Sequence, residues 1–303
     1  MSVLDLVKLH GLGNDFLVAL DSASLERAAD ELSGEEPGAD RVGRLARALC
    51  DRHVGVGADG LLVLREASSG GDVRMELRNA DGGRAETSGN GLRCFALAVI
   101  DAGLISGSEM VVETDAGPRR AFLREHCGPG SADISVEMGT VRVTGSDPLA
   151  DAALPGSRGL AWPAWSVNVG NPHLVVLAPG LEGIALSAIG PVLEERRPNG
   201  QNVEFAAYEP DTGELSLVVW ERGAGPTLAC GSGSVASAAA LHSAGISPAK
   251  VRVRNPGGTV EVSLSGDDPL AMAADLAGSV HRVAGITVDP RELRESREDV
   301  IAS

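Results

Sequence analysis

The sequence has little of several residue types, and each scarcity narrows the possible functions. Only two of its 26 basic residues are lysines, Lys8 and Lys250, so an enzyme that holds pyridoxal phosphate through a lysine has almost no candidate residue. The chain also lacks any run of about 18 apolar residues, the length that a membrane-spanning helix needs. We therefore expect no membrane as partner and no pyridoxal cofactor.

Basic residues are also scarce relative to acidic ones. The chain has 26 basic and 42 acidic residues and a net charge of -16, and no basic cluster interrupts this excess of negative charge. Such a chain repels phosphate backbones, which predicts that nucleic acid is not a partner. Residues 1–11 lack the basic and apolar regions of a signal peptide, which predicts a cytoplasmic protein.

Cysteine and histidine are too few and too scattered for a disulfide framework or a metal site. The six histidines contain no H-x-x-x-H pair, and His10 and His173 are predicted to be structural hydrogen-bonding residues. The four cysteines have no C-x-x-C spacing and are Cys50, Cys94, Cys127 and Cys230. We therefore expect no metal, and any function of a cysteine would depend on a single thiol.

What the sequence does contain is an internal repeat. Residues 13–20 match residues 170–177, and residues 88–103 match residues 230–245, in the same order and at offsets of 157 and 142. A length of 303 residues suits two domains, and the repeat indicates two copies of one unit. Each copy has strand-like runs and one helix that begins at an S/C-G-x-G turn, which predicts an α+β fold.

The predicted secondary structure follows from this division. Two acidic, glycine-rich segments, 29–40 and 144–160, are expected to be surface loops, and residues 289–303 a frayed terminal helix. The predicted strands are residues 16–20, 61–64, 110–113, 174–177, 215–220 and 251–254.

The second S/C-G-x-G turn places Cys230 at the start of its helix. Unpaired backbone N–H groups and the helix dipole stabilise an anion there, which predicts a lowered pKa for this thiol and a role as a proton-accepting base. Gly231 and Gly233 also leave the backbone exposed to a carboxylate or phosphate. The structural alternative is that Cys230 is a small apolar residue buried at a helix start.

The first turn presents Ser88 at the position equivalent to Cys230. Serine is a good helix N-cap, and this structural role is enough to explain its presence. Its hydroxyl is a far weaker acid than a thiol and exchanges protons poorly near neutral pH without an adjacent base. Cys94 cannot easily substitute for it, because six residues further along the helix it lies on a different face.

Amide side chains recur at the ends of the predicted elements in both halves. Such residues are more often turn formers than ligand contacts, although amides can donate to a carboxylate and accept from an ammonium group. Glu221 beside Arg222 offers one anion and one cation, suited to a zwitterion, but a surface pair would look the same. The asparagines concerned are Asn14, Asn79, Asn90, Asn171 and Asn202.

These segments together resemble the diaminopimelate epimerase family, which are cofactor-independent amino-acid epimerases. The resemblance runs from residue 7 to about residue 285 and rests on K-L-H-G-L-G-N-D-F, D-R-H-V-G-V-G-A-D-G, R-N-A-D-G, S-G-N-G-L-R-C, G-N-P-H, N-V-E-F and E-R-G-A-G-x-T-x-A-C-G-S-G. It implies two similar α+β domains, each a sheet around a central helix, that face each other across the active-site cleft. The implied domains are residues 1–117 with 276–303, and residues 118–275.

The resemblance also implies the reaction and the residues that perform it. Ser88 and Cys230 would flank the α-carbon of an amino-acid substrate, LL- or meso-diaminopimelate, and exchange its proton without a cofactor. Gly89, Asn90, Gly231 and Ser232 would stabilise negative charge on the carboxylate at the two helix N-termini. The implied substrate contacts are Asn14, Asn79, Asn171, Asn202, Glu221 and Arg222, with His173 near them.

Ser88 is the main departure from the family, whose first turn has a cysteine at this position. Three explanations remain open: an engineered exchange, a natural variant with weakened or altered activity, or a relative that has moved to another reaction. The functional alternatives are accordingly a diaminopimelate epimerase, an epimerase, dehydratase or isomerase for another amino acid, and a catalytically silent amino-acid-binding protein. The sequence leaves the oligomeric state open between a monomer and a homodimer.

Overall fold

The computed structural model describes residues 3–33, 40–85, 88–146 and 161–293. The chain divides into two compact units, Met1–Ile134 with Ser279–Ser303, and Ser135–Gly278. The predicted boundaries after residues 117 and 275 lie near these. The first boundary differs more from the prediction than the second. The reason is that the strand Gly117–Gly128 belongs to the first unit, where it pairs with the strand before it.

The first unit is a sheet that wraps around one helix. Its elements in chain order are β1 (Leu4–Gly11), β2 (Asn14–Ala19), α1 (Ser22–Ser33), α2 (Arg41–Cys50), β3 (Gly60–Arg65), β4 (Val73–Asn79), α3 (Gly89–Asp101), β5 (Glu109–Thr114), β6 (Gly117–Gly128) and the start of β7 (Ser131–Ser146). The sheet order is β6-β5-β4-β3-β2-β1, and the end of the last strand of the chain pairs with β1. Helix α3 contacts β1, β2, β4 and β6, so it is the central helix of this unit.

The second unit repeats this arrangement. Its elements are the rest of β7, then β8 (Ala164–Asn168), β9 (Pro172–Leu177), α4 (Leu186–Glu194), β10 (Asn202–Glu209), β11 (Glu214–Glu221), β12 (Gly225–Thr227), α5 (Gly231–Ser243), β13 (Lys250–Asn255), β14 (Gly258–Ser265) and β15 (Ala271–Val288), which ends in the first unit. Helix α5 contacts β8, β9, β10, β11, β13 and β14 and is therefore central here. The predicted α+β class, with one central helix in each unit, is confirmed.

The strand pairings repeat between the units residue for residue. In the first unit β2 is parallel to β3 and β3 is antiparallel to β4, and in the second unit β9 is parallel to β10 and β10 is antiparallel to β11. Leu17 pairs with Leu61, and Leu174, at the offset of 157, pairs with Val203, at the offset of 142. The internal repeat seen in the sequence is therefore a repeat of structure, and equivalent positions can be compared directly.

Small side chains allow the central helix α5 to be buried on every side. In α5 the run from Ser234 to Leu241 is fully buried, and it consists of Ala, Ser, Val and one Leu. A helix surrounded by strands needs an apolar or small surface all round, because no face of it meets water. Five of the six predicted strands lie within observed strands, and the sixth, residues 16–20, extends one residue beyond the end of β2. Helices α3 and α5 begin directly after Ser88 and Cys230 as predicted.

One predicted loop was wrong in its first part. Residues 29–33 continue helix α1, and Ala29 is completely buried against the core that α1 and α2 form on the outer face of the sheet. The buried face of this helix consists of Leu25, Ala28, Ala29 and Ser33. Residues 144–146 belong to β7, and Pro290–Glu292 form a short 3-10 helix. The remaining predicted loop and tail residues, 34–39, 147–160 and 294–303, lie outside the described residues.

Candidate active site

Each central helix begins with a side chain that caps its own first turn. The Ser88 backbone is extended, with φ -146° and ψ 117°, and its Oγ accepts a hydrogen bond from the Gly91 N–H at 3.0 Å. Cys230 has the same role in α5, with φ -114° and ψ 115°, and its Sγ accepts from the Gly233 N–H at 3.3 Å. The two residues therefore occupy equivalent positions, as the repeat predicted.

The first turn of each central helix lies directly after its capping residue. In an α-helix the first N–H groups have no partner within the helix, and the cap satisfies only one of them. The first turn of α3 contains Gly89 and Asn90, and the first turn of α5 contains Gly231 and Ser232. Both turns therefore offer backbone donors and the positive end of a helix dipole to an anion.

The pKa of Cys230 is shifted in the direction opposite to the prediction. Burial raises the pKa of this thiol well above its ordinary value, and the negative charges of Glu221 and Glu204 raise it further. The hydrogen bonds from Ser232 and from the Gly233 N–H lower the pKa but do not compensate for these effects. The helix N-terminus is present as expected, but burial disfavours the thiolate more strongly than the helix N-terminus favours it. Cys230 is therefore a thiol at neutral pH.

Asn14 and Asn90 form one connected group in the first unit. The Asn90 Nδ2 donates to the Asn14 Oδ1 at 3.2 Å, and the Asn14 Nδ2 donates to Asp59 Oδ2 at 2.7 Å. Asn90 is buried and also accepts from Arg93 at 2.5 Å. Asn14 is the first residue of β2 and follows a left-handed Gly13, with φ 85°. The structure thus brings together two of the predicted site residues, from β2 and from α3.

Asp59 is a residue that the sequence analysis missed. Besides Asn14, it accepts from the Asp15 backbone N–H at 3.0 Å and from Arg52 at 2.6 Å. Arg52 also bonds Asp15 at 2.6 Å, and Lys8 is 2.9 Å from the same carboxylate. These hydrogen bonds and charges lower the pKa of Asp15, although burial alone would raise it. The cluster holds Asn14 in one orientation.

Asn79 ends β4 and is exposed. In the repeat it is equivalent to Glu221, which ends β11.

Cys94 is fully buried in α3, and burial raises its pKa to about 12. This agrees with the prediction that Cys94 does not take the place of a reactive residue at position 88.

In the second unit, Glu221 and Arg222 have separate partners although they are adjacent. The Glu221 Oε1 accepts from Thr227 Oγ1 at 2.5 Å, across the β11–β12 hairpin. Burial raises the pKa of Glu221, and the neighbouring charge of Glu204 raises it further. Arg222 is exposed and donates to the Asn199 carbonyl at 3.3 Å. The pair is therefore a half-buried acid beside an exposed cation rather than a surface ion pair.

Asn202 and His173 link the strand ends of this unit. The Asn202 Oδ1 accepts from the Arg222 backbone N–H at 2.9 Å and so holds the turn that follows β11. His173 is fully buried, with Nδ1 2.7 Å from Glu204 Oε1 and Nε2 2.9 Å from Asn171 Oδ1. His173 is therefore a buried hydrogen-bonding residue that connects to Asn171 of the predicted site.

Glu204 and Thr227, like Asp59, were not identified from the sequence as site residues. For Glu204 a signal existed: it is the one charge inside the apolar strand N-V-E-F-A-A, and strands buried on both faces rarely contain a carboxylate. Asp59 and Thr227 are short polar residues near turns, where such residues are common, and only the hydrogen bonds distinguish them.

The described residues provide neither a metal-binding cluster nor a membrane-spanning helix. Over residues 3–33, 40–85, 88–146 and 161–293, no group of three His, Cys, Asp or Glu side chains is arranged to hold a metal ion. Within the same ranges, no helix has the length and apolar character needed to cross a membrane.

Solved structures with a similar fold include an epimerase, a probable racemase and a phenazine biosynthesis protein. The chain resembles a hydroxyproline epimerase from Agrobacterium vitis, with a TM-score of 0.71 at 18% identity over 95% of this chain and 92% of that chain. It also resembles a probable proline racemase from Agrobacterium radiobacter, with a TM-score of 0.70 at 18% identity and coverages of 98% and 97%. A phenazine biosynthesis protein from Bacillus anthracis gives a TM-score of 0.70 at 17% identity, with coverages of 95% and 100%. The chain therefore has the fold shared by these epimerases and racemases.

Sequence comparison is more specific. The family described as diaminopimelate epimerase matches residues 6–144 and 165–280. The diaminopimelate epimerase of Desulfitobacterium hafniense is 36% identical over 285 residues, covering 90% of this chain and 95% of that protein. That of Moorella thermoacetica is 37% identical over 270 residues, with coverages of 86% and 91%. The chain belongs to the diaminopimelate epimerase family, which is a family of isomerases.

Proposed function

We propose that the protein interconverts LL- and meso-diaminopimelate, an isomerisation on the route to lysine, by removing and returning the α-proton. The observation that carries this proposal is the equivalent placement of Ser88 and Cys230 as caps of two buried helices. Family membership at about 36% identity over most of the chain supports the substrate. The two lysines are held in ion pairs, Lys8 with Asp15 and Lys250 with Glu261, which supports chemistry that does not use a lysine Schiff base.

The proposed reaction begins at Cys230. Its thiolate sulfur takes the α-proton, the carbon–hydrogen bond breaks, and the electron pair passes into the substrate carboxylate as enolate charge. The products of this step are a protonated Cys230 and a planar α-carbon. Inversion is complete when a proton reaches the opposite face of that carbon. We assign its delivery to the Ser88 hydroxyl, which then regains a proton from water.

Negative charge that develops on the carboxylate must be stabilised for such a weak carbon acid to react. We propose that the backbone N–H groups of Gly89, Asn90, Gly231 and Ser232 supply this stabilisation. Donors aimed at developing charge in a site that excludes water contribute more than they do in solution. The contacts of Asn14 and Asn202 with neighbouring residues support a role in orienting the substrate, because they leave neither side chain free to reorient.

Ser88 makes the two faces of the substrate unequal. A hydroxyl gives up its proton much less readily than a thiol, so protonation or deprotonation by residue 88 is the slow step in both directions. Proton exchange that needs only Cys230 is not limited in this way. We therefore expect exchange with solvent to be faster than epimerisation.

This expectation can be tested in deuterated water. Incubation with LL- and with meso-diaminopimelate should introduce deuterium at the α-carbon, and from one isomer at least tenfold faster than the isomer is epimerised. Mass spectrometry measures deuterium, and chiral chromatography measures epimerisation. Exchange only with another amino acid would contradict the proposed substrate, and ligand binding without any exchange would indicate a silent binding protein.

The pH dependence of this exchange should reflect the raised pKa of Cys230. Because the proton-accepting thiolate is the minor form at neutral pH, each unit increase in pH raises its population about tenfold. The exchange rate should therefore rise with a slope of about one between pH 7 and pH 9. A rate that levels off near pH 7 would indicate that Cys230 is already ionised and would contradict the assigned direction of the pKa shift.

A further inference from the structure

A buried carboxylate lies beneath the first turn of α5, and the reaction proposed above gives it no part. Glu204 has no exposed surface, and a Cβ atom added to Gly233 would lie 2.7 Å from its Oε1. The same oxygen is 2.7 Å from Nδ1 of His173, whose Nε2 is 2.9 Å from Oδ1 of Asn171. Glu204, His173 and Asn171 therefore form a chain of hydrogen bonds that runs from the interior of the unit to the turn before β9.

The repeat shows that the fold itself does not require this polar pair. At the offsets of 157 and 142, His173 is equivalent to Phe16 and Glu204 to Leu62, and the strand registers agree at both positions. Phe16 and Leu62 are both buried, so an apolar pair fills the same space in the first unit. The second unit instead bears the cost of removing a carboxylate and an imidazole from water. This cost, at a position where apolar side chains fit, indicates a functional reason for the pair.

The hydrogen bonds determine where the imidazole proton lies. Because the Asn171 Oδ1 can only accept, the His173 Nε2 carries a hydrogen atom and donates it. The Nδ1 of His173 and the Oε1 of Glu204 are joined by the second hydrogen bond of the ring, which fixes the plane of the imidazole. Since Asn171 uses its oxygen toward His173, its NH2 group is turned away from the ring. An NH2 group is the donor that a substrate carboxylate needs.

We propose that Glu204 is a positioning residue that acts through His173 to present the NH2 group of Asn171 to the substrate carboxylate. The identity of the substrate rests on the proposed function, whereas the proton placement rests on the hydrogen bonds alone. Without a partner for Nδ1, the buried ring would rotate to satisfy that nitrogen and would carry Nε2 away from Asn171. The amide would then be free to turn its oxygen toward the carboxylate, where the two oxygens repel each other.

Three variants separate this role from simple packing. Glu204→Leu removes the partner of Nδ1, Glu204→Gln keeps a hydrogen-bonding group of nearly the same shape, and the double variant His173→Phe with Glu204→Leu carries the residues of the first unit. We expect Glu204→Leu and the double variant to bind meso-diaminopimelate about tenfold more weakly, the equivalent of one lost hydrogen bond to a charged group. Glu204→Gln should stay within about threefold of the original affinity. Titration calorimetry measures all three.

Recovery of affinity in the double variant would overturn the proposal, because it would mean that the pair only fills space. Equal losses in Glu204→Gln and Glu204→Leu would overturn it as well, because glutamine retains the hydrogen bond. Thermal unfolding of the double variant serves as the control for folding, since Phe16 and Leu62 show that the pair is compatible with this fold.

A spectroscopic measurement keeps the inference independent of the proposed substrate. In protein labelled with ¹⁵N-histidine, the Nε2–H signal of His173, assigned by its loss in His173→Phe, should be protected from exchange with water in the original protein and in Glu204→Gln. In Glu204→Leu it should exchange rapidly. Persistence of the protected signal in Glu204→Leu would overturn the proposal. If the original protein does not bind meso-diaminopimelate, the proposed function fails, and these spectra still decide whether Glu204 positions His173.

Discussion

Replacing Ser88 by cysteine is expected to raise the rate of diaminopimelate epimerisation by about two to four orders of magnitude. A positioned acid or base of suitable pKa contributes about 10²–10⁴-fold to a proton-transfer step, and the Ser88 hydroxyl is far too weak an acid to supply that effect. The new thiol would occupy the same helix cap, with a hydrogen bond from Gly91 like the one that Cys230 receives from Gly233. The measurement is kcat for both isomers by chiral chromatography.

The Ser88→Cys variant also tests whether positions 88 and 230 act on one substrate. If they do, the two sulfurs should be able to join under oxidising conditions, so activity should fall on oxidation and return on addition of a thiol reductant. Cys127→Ser in the same background is the matched control, because Cys127 is exposed and should oxidise without affecting activity. An unchanged rate of epimerisation in Ser88→Cys would count against a site with two proton-transferring residues.

Replacing Cys230 by serine is expected to reduce α-proton exchange at least about 10³-fold. The change keeps the helix cap, since serine is a good N-cap, but it removes the only thiol that the reaction is proposed to use. The loss should appear in the exchange rate, with little change in the affinity for meso-diaminopimelate, because backbone and amide groups make the proposed substrate contacts. Deuterium incorporation and titration calorimetry measure the two effects separately.

The control for Cys230→Ser is a second change at a buried cysteine. Cys94→Ala removes a thiol from α3, where burial raises its pKa to about 12, and exchange should remain within about threefold of the original rate. Exchange that survives in Cys230→Ser would contradict the assignment of Cys230 as the base. Exchange lost equally in both variants would mean that damage to the helices, rather than loss of a base, is being measured.

Most of the fold could be predicted because local patterns and the tertiary structure agree. The strands around Phe16, Leu61 and Leu174 are apolar runs between turn residues, and the helices after Ser88 and Cys230 begin at turns with a recognisable cap. The prediction of a loop was wrong for residues 29–33 because it rested on the acidic, glycine-rich composition of the whole segment 29–40. They are helical because α1 packs against α2 and the outer face of the sheet.

The site was predicted less completely, for a reason that the missed residues share. Asp59 lies 45 positions from Asn14, and Glu204 lies 31 positions from His173, so neither pair is visible as a spacing motif. Asp59 also looks like an ordinary turn residue. The repeat did contain one usable signal, since aligning Glu204 with Leu62 exposes a carboxylate where the other copy has an apolar side chain.

The amino-acid sequence alone determined the family, the duplication and the positions of the two helix caps, because these depend on which residues follow one another along the chain. Only the tertiary structure decided the electrostatics. The pKa of Cys230 depends on how much water reaches the sulfur and on the carboxylates of Glu221 and Glu204, which the strands bring close to the start of α5. Burial and charge are properties of the neighbours that a side chain acquires on folding, and a helix N-terminus recognised in the sequence cannot reveal them.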